Sequence, residues 1–127
     1  MPTVSFAPEL VIPHGITDVS FYTHAFGAKE VRRFTNHDGS IHVVEFSIGG
    51  ALFHLHEEWA SDAVSPEKAG ATTVIVGMFV EDVDTIVTQA ETAGARVHSP
   101  PQDYDYGYRQ AKVIDIFGHH WQIQQKI

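Results

Sequence analysis

The feature of this sequence that most limits its fold is a repeated order of strand-like and helix-like segments. A strand-like run over 4–12 precedes a helical pattern over 16–26, after which three more strand-like runs follow, at 28–36, 40–48 and 51–58. The same order returns after residue 72: an apolar strand over 73–80, a helix that begins after Asp82 and ends at Gly94, and three further strands near 95–99, 109–116 and 119–126. Each half is therefore predicted to be a βαβββ unit.

Local matches support this duplication. Asp-Val pairs at 18 and 82 open the two helices, glycines at 27 and 94 close them, and glycines at 50 and 118 precede the last strand of each half. Each half has only about 55–60 residues, too few for a sizeable core, so we expect the halves to bury each other's apolar faces. The sequence predicts one α+β domain over 1–127, with module one at about 1–58, a linker at 59–71 and module two at about 72–127. Coincidental alternation of strands and helices is the alternative.

Composition excludes several function classes. With 16 acidic and 8 basic residues the chain carries a net charge of −8, which disfavours nucleic acid and anionic lipid as partners. The absence of cysteine excludes disulfides, thiolate metal sites and thiol catalysis. No apolar run approaches the roughly 20 residues of a membrane helix, and the start shows no secretory signal, so we expect a cytoplasmic protein. Nine histidines leave metal binding and acid–base chemistry open.

Four stretches carry a resemblance to a known family. They are Phe21–Ala28 (FYTHAFGA), Gly39–Gly49 (GSIHVVEFSIG), Val80–Asp84 (VEDVD), and the segment from Tyr106-Gly107-Tyr108-Arg109 to Asp115–Trp121 (DIFGHHW). In this order they resemble the glyoxalase / bleomycin resistance / extradiol dioxygenase superfamily, also called vicinal oxygen chelate proteins, and within it the PhnB-like branch. Together the stretches span nearly the whole chain.

The resemblance implies a fold and a range of functions. It implies two βαβββ modules whose strands curl into an incomplete barrel around a ligand cavity, commonly in a homodimer with the cavity near the subunit contact. Members include metal-dependent lyases, isomerases and dioxygenases, and also proteins that bind drugs without chemistry. Because fold does not determine function, both an enzyme and a binding protein remain open at this point.

The resemblance also implies where a metal would be held, on the first and last strands of each module. Carried over to this sequence, those positions are Ala7, His54, Ile75 and Gln122. Alanine and isoleucine offer no lone pair and Gln122 is a weak neutral ligand, whereas a divalent cation needs at least three suitable ligands. We therefore expect no resident metal and a protein that binds a small molecule.

A rearranged metal site is the alternative. His54 and His56 are two residues apart in a strand and project to one face, while Phe53 and Leu55 project to the other. By the resemblance, Glu45 shares the histidine face. Such a set would suit zinc, iron, manganese or nickel and a lyase, isomerase or dioxygenase. Two further alternatives need no metal. Either the histidines are polar walls of a ligand pocket, or His54 is the general base of a metal-independent enzyme.

The expected ligand is a small aromatic or apolar molecule. The predicted cavity residues are His54, His56, Gln122, Trp59, Tyr104, Tyr106 and Trp121. Alternating tyrosines at 104, 106 and 108 indicate either an aromatic loop that stacks on a planar ligand or the ordinary packing of a long connection. Arg109 and Asp115 are interpreted as structural. A His-x-His pair after glycine also occurs in cupins, but two capped helices in corresponding places argue against an all-β fold.

Overall fold

The computed structural model describes residues 3–127, and the predicted duplication is confirmed. Module one consists of β1 (Glu9–Ile12), α1 (Phe21–Phe26), β2 (Lys29–Thr35), β3 (Ile41–Ile48) and β4 (Ala51–Glu57). After a short helix, α2 (Pro66–Ala69), module two consists of β5 (Ile75–Phe79), α3 (Val83–Ala93), β6 (Arg96–Tyr104), β7 (Tyr108–Ile114) and β8 (His120–Lys126). The fold is α+β, built from two βαβββ modules.

The two sheets have equivalent topology. Their strand orders are β1-β4-β3-β2 and β5-β8-β7-β6. In each sheet the first strand pairs in parallel with the last strand of its module, and the other pairings are antiparallel. The sheets do not close into a barrel, so β1, β2, β5 and β6 are edge strands.

The core is shared by both modules. Phe53 and Leu55 of β4 point inward, as do Trp121 and Ile123 of β8, because side chains alternate between the two faces of a strand. Helix α1 packs against α3, and the buried ring of Tyr22 contacts aromatic rings from both modules. The prediction that Phe53 and Leu55 pack away from the histidines is confirmed.

Three boundaries differ from the sequence prediction. Strand β1 begins at Glu9 rather than at residue 4, because only residues 9–12 pair with β4. Helix α1 begins at Phe21 rather than near residue 16, because the Asp18 carboxylate accepts hydrogen bonds from the Ser20 amide and hydroxyl in a local turn. Strand β6 continues to Tyr104 through Pro100 and Pro101, which an edge strand tolerates.

Both later helices begin at side-chain caps. The Asp82 carboxylate accepts a hydrogen bond from the Thr85 amide at 3.2 Å, as the sequence predicted for α3, and Gly94 follows its last turn. The predicted linker contains α2, which Ser65 caps and which has proline at its first position. No helix within residues 3–127 is long and apolar enough to span a membrane.

Candidate functional site

The outer face of the module-one sheet carries a histidine–glutamate pair. His54 lies on the side of β4 opposite the core, with Glu9 of β1 and Glu45 of β3 as its two register partners. Its Nε2 lies 2.8 Å from Oε2 of Glu45, and the other oxygen of Glu45 is 3.9 Å from Nε of Arg32. The predicted proximity of His54 and Glu45 is therefore present, and Nδ1 of His54 is on the ring edge turned away from the carboxylate.

His56 lies on the same face but has different partners. Its Nδ1 donates a hydrogen bond to the backbone oxygen of Glu57 at 2.6 Å. Its ring packs edge-on against Trp59, with centroids 4.4 Å apart, and against His42 at 4.8 Å. Trp59 is more than half exposed, so an aromatic surface adjoins the histidine face. The structure thus brings His54, His56 and Trp59 to one side of the sheet.

A network around Glu57 was not predicted from the sequence. Its carboxylate is buried and accepts hydrogen bonds from Nδ1 of His42 at 2.8 Å, Nδ1 of His14 at 3.0 Å and Nδ2 of Asn36 at 3.1 Å. The histidine hydrogen bonds, followed by that of Asn36, lower the pKa of Glu57 to about 2. The donors come from three separate segments, which is why no sequence spacing signals this network. His14 belongs to this network although two-thirds of its side chain is exposed.

Glutamine side chains cover the corresponding face of module two. Nε2 of Gln110 and of Gln122 donate hydrogen bonds to Oε1 of Gln124, at 2.8 and 3.1 Å. Gln124 lies over Gly77 of β5, where an added Cβ would be 3.1 Å from its Nε2. Gln122 therefore belongs to a neutral row of amides, of which only Gln122 was predicted.

Tyrosine rings continue this face at its far end. Tyr104 ends β6, Tyr106 lies in the turn and Tyr108 begins β7, so the predicted loop is a strand–turn–strand. Tyr104 and Tyr106 stack with centroids 5.5 Å apart, and Tyr108 meets Tyr106 edge-on at 5.7 Å. Tyr106 donates a hydrogen bond to Gln110, and Phe79 of β5 packs on Tyr108. A surface of aromatic rings therefore adjoins the amides.

Trp121 lies in the core rather than on the outer face with Gln122. It is 2% exposed, and its Nε1 donates a hydrogen bond to Asp115 at 3.0 Å. Trp121 forms part of the inner wall of a cleft of about 280 Å³, whose rim includes Phe6, Leu52 and Phe79. Strand alternation explains this placement, because adjacent residues of β8 face opposite sides.

Arg109 and Asp115 both have structural partners, as interpreted from the sequence. Arg109 donates hydrogen bonds to Asp84 and Asp103, each at 2.9 Å, and these two carboxylates raise its pKa. Asp115 accepts from the amides of Phe117 and His119, which fold the turn between β7 and β8.

The strand register shows which residues lie opposite the expected ligand positions His54 and Gln122. The β1 residue opposite His54 is Glu9, whereas Ala7 precedes the strand, and the β5 residue opposite Gln122 is Gly77, whereas Ile75 is opposite His120. Module one thus offers a carboxylate and an imidazole that already bonds Glu45, while module two offers only an amide. Across residues 3–127 no group of three or more His, Asp or Glu side chains is placed to hold a metal ion. The donor set does not fit the four-ligand metal site that the resemblance implies.

Comparisons with known proteins agree with this architecture. The curated relatives include uncharacterised proteins of Mycobacterium tuberculosis and Mycobacterium bovis. Each is 31% identical over 127 residues, which cover 97% of this chain and 75% and 84% of the relatives. TioX from Micromonospora sp. ML1 has a TM-score of 0.72 and 26% identity, with 97% of this chain and 100% of TioX covered.

A more distant structure shares the fold alone. The fosfomycin resistance protein FosX of Listeria monocytogenes has a TM-score of 0.71 and 15% identity, with 100% of this chain and 96% of that chain covered.

The family profile described as Glyoxalase/Bleomycin resistance protein/Dioxygenase superfamily matches residues 17–123. The chain therefore belongs to the glyoxalase/bleomycin resistance protein/dioxygenase superfamily.

Proposed function

We propose that this protein is a homodimer that binds a small aromatic or apolar molecule without a resident metal. The module-one face of one subunit and the module-two face of its partner would enclose the ligand. The observation that carries the proposal is the placement of both faces on the side of each sheet away from the shared core. Each face is partly exposed and combines polar groups with aromatic rings, a composition typical of ligand pockets.

Exposed apolar side chains support the homodimer. Phe6 is 91% exposed, Phe79 is 58% exposed, and both border the cleft of about 280 Å³ beside the edge strand β5. Exposed apolar side chains that border one cleft form a patch of the kind that marks contact surfaces, and a parallel edge strand is an open hydrogen-bonding edge. A second copy of the chain would cover both, and would bring a His54 face opposite a Gln122 face.

The chemistry of the two faces indicates what the ligand would contact. Trp59 and the tyrosines at 104 and 106 offer stacking surfaces for a planar ring. His54 and Gln122 offer hydrogen bonds that orient polar substituents on that ring. This division of roles suits a protein that binds a small molecule, and we propose a PhnB-like binding protein that works in the cytoplasm.

Binding and assembly are tested together. Nile red, a neutral planar dye, is titrated into the protein while light scattering after size exclusion gives the mass. We expect a dimer that binds the dye, with affinity reduced about tenfold in His54→Ala and in Gln122→Ala. The matched controls are His24→Ala, on the exposed side of α1, and Gln89→Ala, on the exposed side of α3. A monomer, or binding that neither variant weakens, would contradict the proposal.

The metal-dependent enzyme is the second candidate, and the contact between His54 and Glu45 is what favours it. In that case His54, Glu45 and His56 would hold zinc, iron, manganese or nickel. Elemental analysis of protein purified without chelator separates the two: less than a tenth of an equivalent of transition metal is expected, whereas one tightly held ion per subunit, lost in His54→Ala, would establish the enzyme candidate.

A further inference from the structure

Basic side chains converge at one end of the module-two face. His120 of β8 is opposite Ile114 of β7, and Ile114 is opposite Arg96 of β6. Paired residues of neighbouring strands project from the same face, so Arg96 and His120 flank Ile114 on one side of the sheet. This end of the face is the one farthest from the tyrosines at the turn between β6 and β7.

Two further residues complete the basic group, which we define as Arg96, His98, Lys112 and His120. Lys112 is two residues from Ile114 on β7 and therefore projects from the same face. The rings of His98 and His120 are 5.9 Å apart between centroids, which places His98 beside the same end of the sheet. Three adjacent strands thus contribute four side chains that are cationic or can become so.

The positive charge of this group is not neutralised by its surroundings. Within residues 3–127, the Lys and Arg side chains that form ion pairs are those of Arg32, Arg33 and Arg109. Neither Arg96 nor Lys112 forms one. Burial, followed by the charges of Lys112, His98 and Arg96, lowers the pKa of His120, and the opposing effect of Asp115 is smaller. In a chain of net charge −8, an uncompensated cluster of this kind is unexpected on composition alone.

The nearby acidic groups are either occupied or peripheral. The buried carboxylate of Asp115 already accepts hydrogen bonds from two side chains and two backbone amides. Glu67 borders the same cavity from the exposed side of α2. Glu9 and Asp62 border an adjoining cleft that His120 also reaches, and both are exposed. None of these carboxylates forms an ion pair with Arg96 or Lys112.

A cavity borders Arg96 and His120 of the basic group, while Lys112 lines a separate, smaller cavity with Gln110 and Gln122. The first cavity has a volume of about 510 Å³, and its walls include Arg96, Ile114 and His120 together with the backbone of Gly94 and Gly118. The amides of both glycines already donate to backbone oxygens, Gly94 to Glu91 and Gly118 to Asp115, so the donors available to an anion here are side chains. The space is large enough for an anionic group and the part of a small molecule that carries it.

We propose that the basic group binds the anionic substituent of the ligand, a carboxylate or a phosphate. The planar guanidinium of Arg96 can donate two parallel hydrogen bonds to such a group, Lys112 adds a point charge, and the ring N–H of His120 or His98 adds a further donor. Where the anion is a substituent of a larger ligand, the inference rests on the proposed function, because the aromatic and amide surfaces would hold the rest of that ligand. The anion contact itself is independent of that remainder and can be measured separately.

The test uses two simple anions: inorganic phosphate represents a phosphate substituent, and benzoate represents a carboxylate substituent. Each is titrated into the intact protein at constant pH and constant ionic strength, with sodium chloride exchanged for the probe. The imidazole signals of all histidines are followed by NMR. We expect saturable shifts of His98 and His120 with millimolar dissociation constants, and no saturable shift of His37, which lies in the exposed turn before β3. The tighter of the two probes identifies the class of anion.

Charge-removing variants make the test specific. Arg96→Gln and Lys112→Gln should each weaken the tighter anion about fivefold, whereas Lys126→Gln, an exposed lysine at the other end of β8, should leave it unchanged. Shifts that grow linearly with concentration, or an equal loss in Lys126→Gln, would overturn the inference. If the protein binds Nile red but neither anion, the anion inference is overturned and the proposed function stands. If it binds an anion but not the dye, only the proposed function is contradicted.

Discussion

The Tyr22 hydroxyl donates a hydrogen bond of 2.6 Å to Oδ2 of Asp115, which joins helix α1 of module one to the turn between β7 and β8 of module two. Nε1 of Trp121 donates to the same oxygen at 3.0 Å, while Oδ1 accepts from the amides of Phe117 and His119. Burial and the neighbouring carboxylate raise the pKa of Tyr22 well above its ordinary range, so its hydroxyl keeps its proton. A single carboxylate, fully provided with donors, thus connects the two modules.

Replacing Tyr22 by phenylalanine should therefore destabilise the protein without a large change in packing. A hydrogen bond to a charged group contributes about 1.5–3 kcal/mol, and the free energy of unfolding in urea should fall by that amount. Tyr104→Phe is the matched control, since no hydrogen bond within residues 3–127 uses its hydroxyl. In a double-mutant cycle with Asp115→Asn, strictly additive losses would show that the two groups are not coupled.

The network around Glu57 predicts a specific loss of stability in acid. Its pKa is lowered from 4.5 to about 2 in the folded protein, so the carboxylate stabilises the fold above pH 4.5. This contribution should be lost progressively as the pH falls from about 4.5 to about 2. Urea unfolding across that range measures it, and Glu57→Gln should reduce the slope of stability against pH.

Glu91→Gln, on the exposed side of α3, provides the control for that measurement. It removes the same charge without touching a histidine. The same acid dependence in Glu57→Gln and in the wild-type protein would show that the network does not stabilise the folded state.

Gly118 predicts a steric effect that can be separated from a backbone effect. Its φ of +93° disfavours any side chain, and an added Cβ would lie only 2.9 Å from Cβ of Pro66 in α2. Gly39 has a similar φ of +88°, with no atom within 4 Å of its added Cβ. Both alanine variants should lose about 1 kcal/mol from the backbone, and Gly118→Ala about 1–3 kcal/mol more from the clash. Equal losses by thermal or urea unfolding would show that α2 moves aside freely.

The cap of α3 predicts a graded response at Asp82. Asp82→Ala removes the acceptor of the Thr85 amide and should cost about 1 kcal/mol, whereas Asp82→Asn retains an acceptor and should cost less. Urea unfolding of the two variants measures the difference. Equal destabilisation would mean that charge near the helix terminus, rather than the hydrogen bond, is what Asp82 contributes.

Much of the fold and part of the candidate site could be predicted from local patterns. The paired glycines and Asp-Val steps indicated two equivalent modules because caps and turns depend on a few adjacent residues. The period of two in β4 placed His54 and His56 on one face and Phe53 on the other for the same reason. Glu45 was placed beside them through a family likeness, which the 2.8 Å contact with His54 bears out.

Tertiary pairing decided the rest. Glu9, rather than Ala7, faces His54 because β1 starts where β4 offers hydrogen-bonding partners, and a strand's register is not encoded within the strand. Strand alternation turns Trp121 toward the core, but its partners there depend on tertiary packing, which joins Tyr22 to Asp115 across 93 residues of chain. Short-range periodicity determines which residues share a face of a strand. Long-range packing determines what each face contacts, because those contacts join segments that are far apart in the sequence and that no local pattern relates.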